Sequence, residues 1–445
     1  MKDELSPCVH CGFCLPTCAS YLALGTEMDS PRGRIHFLKA IKEGEAEWDA
    51  TSASHFDTCL GCFACVSACP SGVRYDELIE EIRPVLHEKS YRSPTEAFIR
   101  KILLMLLPYP DRLKALLRPF RLYPDSKLRR QVGDMGILRL LGESLETMES
   151  LLPRNSLSLM DADLAGVYEH QGRFRGRVGL VLGCVQQVFG QQVNIAAINV
   201  LTANGYTVVV PASQGCCGAV THHQGAVKET EEFARRMSNV FRVENLIHEF
   251  DIDEPLDGVL VAASGCGHTM KNYGSILGVR TNDVSGNQIF SGAPIFDIHE
   301  FLHKEGLSKE FKASLGPLEH PNNCEDTIRI AFHDACHMIH GQGIKVAPRK
   351  LLSYIPQVKI METVDSGICC GSAGIYNITH PVEAKSLGRS KAINLLQTNP
   401  LIIASANIGC TLQIQRHSQS EDAVVKHPIE ILNDSYSGPK TLTIS

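Results

Sequence analysis

Eight cysteines in the first 69 residues fall into two copies of one spacing, Cys8-x2-Cys11-x2-Cys14-x3-Cys18 and Cys59-x2-Cys62-x2-Cys65-x3-Cys69-Pro70. Thiolates at two-residue gaps bind metal, and the third cysteine of each run decides which kind. One turning loop can aim three such thiolates at three corners of a cubane iron–sulfur cluster, while the cysteine after the three-residue gap heads the next segment. Tetrahedral zinc, the competing use of Cys-x2-Cys pairs, needs only two pairs per ion and gives no reason for a Cys-x3-Cys in both copies. The spacing therefore points to two 4Fe-4S clusters and one-electron chemistry.

Two-cluster ferredoxins use this spacing, and the resemblance implies a crossed ligand set. One cluster takes Cys8, Cys11, Cys14 and Cys69; the other takes Cys18, Cys59, Cys62 and Cys65. Ala19 follows Cys18 where a proline is usual, with Pro16 lying earlier, which alters the local turn and not the ligand count. Arg32 and Arg34 in Pro-Arg-Gly-Arg, and Arg74 in Ser-Gly-Val-Arg-Tyr, flank the motifs. Positive charge there either raises the potential of a reduced cluster or is only surface charge.

A second set of cysteines is arranged differently. Of 17 in the chain, none lies between residues 70 and 183, and nine are scattered from Cys184 to Cys410. They form a repeat: Cys184, Cys216-Cys217-Gly218 and Gly265-Cys266, then Cys336, Cys369-Cys370-Gly371 and Gly409-Cys410. The copies end alike, on His299-Glu300-Phe301-Leu302 and on His427-Pro428-Ile429-Glu430-Ile431-Leu432. Neighbouring side chains of an extended segment point to opposite faces, so a turn at Gly218 or Gly371 is needed to bring both thiols to one site. The eight repeat cysteines, Cys184, Cys216, Cys217, Cys266, Cys336, Cys369, Cys370 and Cys410, are read as further redox or metal ligands. Inert buried cysteine is the competing reading.

The elements that must position these residues follow from periodicity. Pro31 to Ile41 suits a helix start. Val178 to Gly183, Tyr206 to Val210 and Gly258 to Ala263 read as strands between helices at Val193 to Ala203 and Val227 to Phe241. Strands at Ile328 to Phe332, Val358 to Thr363 and Leu401 to Ala404, with helices at Arg349 to Tyr354 and Pro381 to Leu396, repeat that order. This is a tandem βαβαβ unit with mainly parallel sheets and ligands at the strands' C-terminal ends. The expected architecture is an α+β multidomain chain. A helical di-cluster ferredoxin-type domain (1–90) and a helical linker region (91–175) precede two α/β repeats (176–315 and 316–445).

The linker is Leu-rich and basic, with Arg100, Lys101, Arg112, Lys114, Arg118, Arg121, Lys127, Arg129 and Arg130, and is broken by Pro108 and Pro110. Such a stretch lies on an anionic membrane surface or offers solvated faces on packing helices. No run reaches the roughly 18 to 20 apolar residues of a membrane span, and the start leads into no apolar signal core. A cytoplasmic protein is expected, with a peripheral place on the inner face of the membrane as the variant. The balance of 43 Lys+Arg against 49 Asp+Glu, net −6, argues against a nucleic-acid partner.

The repeats resemble the cysteine-rich CCG domains of heterodisulfide reductase, of succinate:quinone reductase variants and of iron–sulfur subunits of hydroxyacid dehydrogenases. The fullest form of that motif ends in Cys-x2-Cys and holds a noncubane cluster; here Ala263 and Asn407 replace the first tail cysteine. Over most of its length the chain resembles the glycolate oxidase (glycolate dehydrogenase) iron–sulfur subunit family, through Cys8-Val-His-Cys-Gly-Phe-Cys14, Pro31-Arg-Gly-Arg34, Cys69-Pro-Ser-Gly-Val-Arg-Tyr75 and the two repeats.

The resemblance implies flavoprotein partner subunits that carry FAD and oxidise glycolate to glyoxylate, and a quinone-type or membrane acceptor. Subunits of lactate and glycerol-3-phosphate dehydrogenase complexes share the architecture, and a heterodisulfide reductase-like thiol chemistry is the other alternative. No substrate-oxidising site is expected in this chain. Gly341-Gln342-Gly343, the nearest approach to a dinucleotide fingerprint, lacks the third glycine and a preceding strand. His10, His268, His333 and His337 lie near motif cysteines and receive no role.

Overall fold

The computed structural model describes residues 5–89, 91–120, 123, 129, 142–153, 158–278, 293–319, 327–418 and 423–442. Arg121, Lys127 and Arg130 of the basic stretch lie outside the described residues.

Residues 5–89 are built from helices joined by loops. The Ser30 hydroxyl accepts the Gly33 N–H at 3.1 Å and Pro31 opens the helix Pro31–Glu43, which ends where Gly44 turns left-handed. A capping box of Asp49 and Ser52 starts the helix Ala50–Asp57. Ile35, Leu38, Phe56, Leu78, Ile79 and Ile82 form one core, and Cys8, Cys14, Cys59 and Cys69 pack against it. The cysteine loops are thus anchored on apolar side chains of three helices, the last being Tyr75–Lys89.

The linker forms the helices Pro94–Leu106, Pro110–Leu117 and Glu143–Ser150. Its described positive charges divide, with Lys101, Arg112 and Arg118 exposed and Arg100 and Arg129 enclosed. Arg100 is buried and paired with Glu96 at 2.7 Å and Asp57 at 3.8 Å, Arg129 pairs with Glu149 at 2.8 Å, and the Arg112 guanidinium sits 3.9 Å from the Tyr109 ring centroid.

The remainder builds two sheets from strands β1 Gly166–Tyr168, β2 Gly176–Val181, β3 Tyr206–Val210, β4 Gly258–Val261, β5 Ile295–Asp297, β6 Ile328–His333, β7 Val358–Met361, β8 Ile402–Ser405 and β9 Val424–Lys426. The first sheet has the order β1-β3-β2-β4-β5 and the second β7-β6-β8-β9. All pairings are parallel except that of β1 with β3. Removing β1 leaves the same order in both sheets, as the cysteine repeat requires. β1 itself lies in the stretch read from sequence as helical; three residues are too few for periodicity to reveal.

The two repeats share a single core. Leu180, Val208 and Leu260 of the first sheet join Ile330, Phe332 and Ile402 of the second in one cluster, with Ile198 and Leu201 from the helix Gln191–Ala203 and Ile429 and Leu432 from the helix Pro428–Ser435. These two helices pack on each other, and Ile298–Glu305 packs on Val346–Leu352, so each repeat lends a helix to the other.

The matching ends of the repeats are capping boxes and not aligned histidines. Asp297 accepts the His299 N–H at 2.8 Å while Glu300 accepts the Asp297 N–H at 3.3 Å. In the second copy His427 Nδ1 accepts the Ile429 N–H at 3.2 Å and Glu430 accepts the His427 N–H at 2.8 Å. His427 therefore stands where the first copy has Asp297.

Candidate iron–sulfur and paired-cysteine sites

In both N-terminal motifs the backbone turns left-handed at the same two offsets, at His10 (φ 54°) and Gly12 (φ 84°) and at Gly61 (φ 60°) and Phe63 (φ 62°). Alternating left-handed residues curl each loop so that its three thiols face one centre. A Cβ at Gly61 would lie 2.7 Å from an Arg83 guanidinium nitrogen, so the Arg83 side chain would have to move aside for any larger residue.

The thiols surround two adjoining cavities. Cys8, Cys11, Cys14 and Cys69 line the first, together with Cys65, which the two cavities share. Cys18, Cys59, Cys62 and Cys65 line the second. The fourth cysteine of each motif lies with the first three of the other. Backbone N–H groups of Gly61 and Val73 donate to Cys59 Sγ and Cys69 Sγ, each at 3.4 Å, and Tyr75 Oη lies 3.9 Å from Cys59 Sγ. Burial pushes the Cys14 thiol up to about 11 and Cys65 well above the ordinary thiol value. Four convergent thiols around each cavity are the donor set of a 4Fe-4S core, whose positive irons would stabilise them as thiolates.

The three flanking arginines separate by environment. Arg74 is half exposed and pairs with Asp76 at 2.7 Å. Arg32 pairs with Glu27 at 2.5 Å and donates to the His10 carbonyl at 3.2 Å. Arg34 is fully buried, donates to the His55 carbonyl at 2.6 Å, Thr58 Oγ1 at 2.9 Å and Ser20 Oγ at 3.1 Å, and lines the second cavity. Its Nη1 has no hydrogen-bond partner among the described residues. A buried cation with a spare N–H beside four thiols is placed to donate to a cluster's sulfur.

The repeat cysteines gather at the C-terminal ends of the parallel strands. Cys184 and Cys336 follow β2 and β6, while Cys266 and Cys410 ride on the helices Ser264–Lys271 and Ile408–His417 that follow β4 and β8. Gly218 (φ 83°) and Gly371 (φ 86°) supply the expected left-handed turns after the paired cysteines. In the first repeat Cys184 Sγ lies 3.5 Å from Cys216 Sγ, and the thiols run on through Cys217 to Cys266. Contact with Cys184 and then with Cys217, with burial behind them, pushes the Cys216 thiol well up. The second repeat has the same line, Cys336–Cys369–Cys370–Cys410. Asn407, at the replaced cysteine position, donates to Cys410 Sγ at 3.5 Å and accepts the Gly265 N–H of the other repeat at 3.2 Å. Both lines border one apolar cavity of about 670 Å³ whose outer wall is built from linker residues such as Leu103, Leu113 and Met148.

The second cluster cavity abuts this region, since Leu60 and Cys62 pack in one cluster with Cys336 and Cys369. Between the two sits a stack of rings. His337 lies 4.9 Å from His223, 5.0 Å from His268 and 5.3 Å from Phe63, and His337 Nε2 is 2.9 Å from the Gly61 carbonyl oxygen. Burial and then its neighbour His268 push His337 down to about 3, so the ring is neutral near pH 7. The sequence reading passed over His223, Phe63 and Arg83; His222-His223 closely following Cys216-Cys217-Gly218 was the available signal. His10 lies away from this stack beside His36.

Comparison with known proteins places these features. Residues 4–73 match the 4Fe-4S dicluster domain, 178–271 and 330–415 match the cysteine-rich domain, and 95–152 match the linker region of the glycolate oxidase iron–sulfur subunit. A probable glycolate oxidase iron–sulfur subunit of Bacillus subtilis is 32% identical over 99% of this chain and 96% of its own. The glycolate oxidase iron–sulfur subunit of Escherichia coli is 32% identical over 97% and 94%. Lactate utilization protein A 1 of Bacillus mycoides is 25% identical over 58% of this chain and 97% of its own. Among the described residues no helix is long and apolar enough to cross a membrane. With a dicluster domain, a linker and two cysteine-rich repeats in this order, the chain belongs to the glycolate oxidase iron–sulfur subunit family.

Proposed function

We propose that this chain is the electron-relay subunit of a flavin-linked glycolate dehydrogenase. FAD on partner subunits would supply the two-electron oxidation of glycolate to glyoxylate, and this chain would pass the electrons on one at a time to a quinone-type or membrane acceptor. The observation that carries the reading is the pair of adjoining four-thiol cavities. One is bordered by the exposed Cys11 between exposed Val9 and Phe13, and the other abuts the second cysteine repeat, where Leu60 and Cys62 pack with Cys336 and Cys369. Such a chain has an accessible end for a partner and a buried end toward an acceptor.

Two 4Fe-4S clusters, when bound, supply one-electron carriers at these cavities. Cys8, Cys11, Cys14 and Cys69 would hold one cluster and Cys18, Cys59, Cys62 and Cys65 the other, each as thiolate. The Gly61 and Val73 N–H groups and Arg34 would offset the negative charge that reduction adds, and Phe63 gives the second cavity an apolar wall. Similarity to two glycolate oxidase subunits over nearly the full length favours glycolate over lactate, whose relative covers 58% of this chain.

In the assembled complex, Cys8→Ser or Cys59→Ser is expected to leave single-turnover reduction of the flavin by glycolate intact while steady-state turnover with the natural acceptor falls at least tenfold. Glycolate oxidation by the isolated chain, or undiminished turnover in a complex stripped of both clusters, would each refute this division of labour.

A further inference from the structure

We propose that the second repeat holds a mononuclear divalent ion, zinc by ligand type, on His333, Cys370 and Cys410. One ligand atom from each of the three lies within 4.8 Å of the other two. They come from three separate places in the second repeat: the last residue of β6, the turn after β7 and the helix after β8. The parallel register pairing His333 with Ser405 holds two of these elements together.

His333 is the telling member. It is 1% exposed, and neither ring nitrogen has a hydrogen-bond partner among the described residues. A buried imidazole with both nitrogens unsatisfied is destabilising, and ligation of one nitrogen removes part of that cost. Val181, three residues before Cys184, is its counterpart in the first repeat, as His333 stands three before Cys336. The first repeat therefore has the thiols without the nitrogen donor, and the site is specific to the second.

The four thiols of the second repeat also divide by what surrounds them. Cys336 and Cys369 pack with Leu60 and Cys62 on the side of the ferredoxin-type domain, whereas Cys370 and Cys410 fall in a different apolar cluster with Ala335, Met338 and Ala406. Cys370 and Cys410 are thus the two thiols whose sulfur atoms lie with a His333 ring nitrogen in one group. Two thiolates and a neutral imidazole balance the charge of a divalent ion, and binding releases two thiol protons. A fourth, exchangeable ligand completes the tetrahedron.

The test uses the full chain purified anaerobically with its iron–sulfur clusters. Elemental analysis is expected to find about one zinc per chain beside the iron. His333→Val, which copies the first repeat, is expected to lower zinc at least tenfold with iron and visible absorption unchanged. His333→Cys, which keeps a ligand, is expected to retain zinc. Growth with cobalt in place of zinc is expected to give thiolate-to-cobalt charge-transfer bands in the native chain and in His333→Cys only. Equal zinc in the native chain and His333→Val, equal loss in both variants, or additional iron that depends on Cys370 and Cys410 but not on His333 would each overturn the site. None of these outcomes touches the electron relay, which Cys8→Ser and Cys59→Ser test separately.

Discussion

At the scale of single residues, the grouping of thiols around the two cavities ties distant parts of the sequence to one another. Cys18 lines the cavity of Cys59, Cys62 and Cys65, and Cys69 that of Cys8, Cys11 and Cys14. Cys18→Ser is therefore expected to alter the electron paramagnetic resonance signal of the second cluster and spare the first, with Cys69→Ser doing the reverse. The opposite pattern would assign each motif its own cluster. Arg34 adds a graded effect. Arg34→Lys keeps the charge but loses the fork that holds His55, Thr58 and Ser20. Its second cluster is expected to be harder to reduce by tens of millivolts, on the order expected for weakening one directed charge–dipole contact at an effective dielectric near 20. A redox titration followed by the same resonance signals checks this, and an equal shift in both clusters would count against a local contact.

At the scale of elements, the cap of the last helix carries a proton-linked contribution. Burial raises Glu430 to about 7, although the His427 N–H pulls the other way. The folded chain then binds more protons than the unfolded one between the ordinary glutamate value and about 7, so this group withdraws stability as pH rises through that window. Glu430→Gln keeps an acceptor at the cap and removes the ionisation. Raising the pH from 5 to 8 is expected to move the native chain's stability down relative to the variant by about 1–3 kcal/mol. Parallel denaturation curves at both pH values measure it; a difference that does not change with pH would mean that Glu430 is not protonated in the cap. The ring stack of His223, His337, His268 and Phe63 works on the same scale, joining the second motif loop to helices of both repeats.

At the scale of the whole molecule, the shared core makes the two repeats one cooperative unit. Leu201 is fully buried in the cluster that contains both sheets. Leu201→Ala is expected to cost about 2–5 kcal/mol, the range for opening a cavity in a closed core. Because that core serves both sheets, calorimetry is expected to show the repeats still melting in one transition at lower temperature. A split into two transitions, with only the first repeat weakened, would show that they fold independently.

Ligand spacing and periodicity are local properties, and what they govern was legible in the chain itself. The eight N-terminal cysteines, the tandem order of strands and helices, and the left-handed turns at Gly218 and Gly371 follow from a few consecutive residues each. The strands β1, β5 and β9 escaped, being three residues long and held by neighbours rather than by their own pattern. The tertiary structure alone decided the rest. Cys369 and Cys370 are adjacent in sequence yet face different apolar clusters, and the difference comes from what the helices of both repeats place around them. Arg32, Arg34 and Arg74 read alike as flanking charges, but only Arg34 is enclosed, because Ser20, His55 and Thr58 reach it from segments far along the chain. His333 looked like one histidine among several near cysteines. Its burial without a partner, beside thiols brought in from the ends of two other strands, depends on contacts between residues that no local pattern encodes.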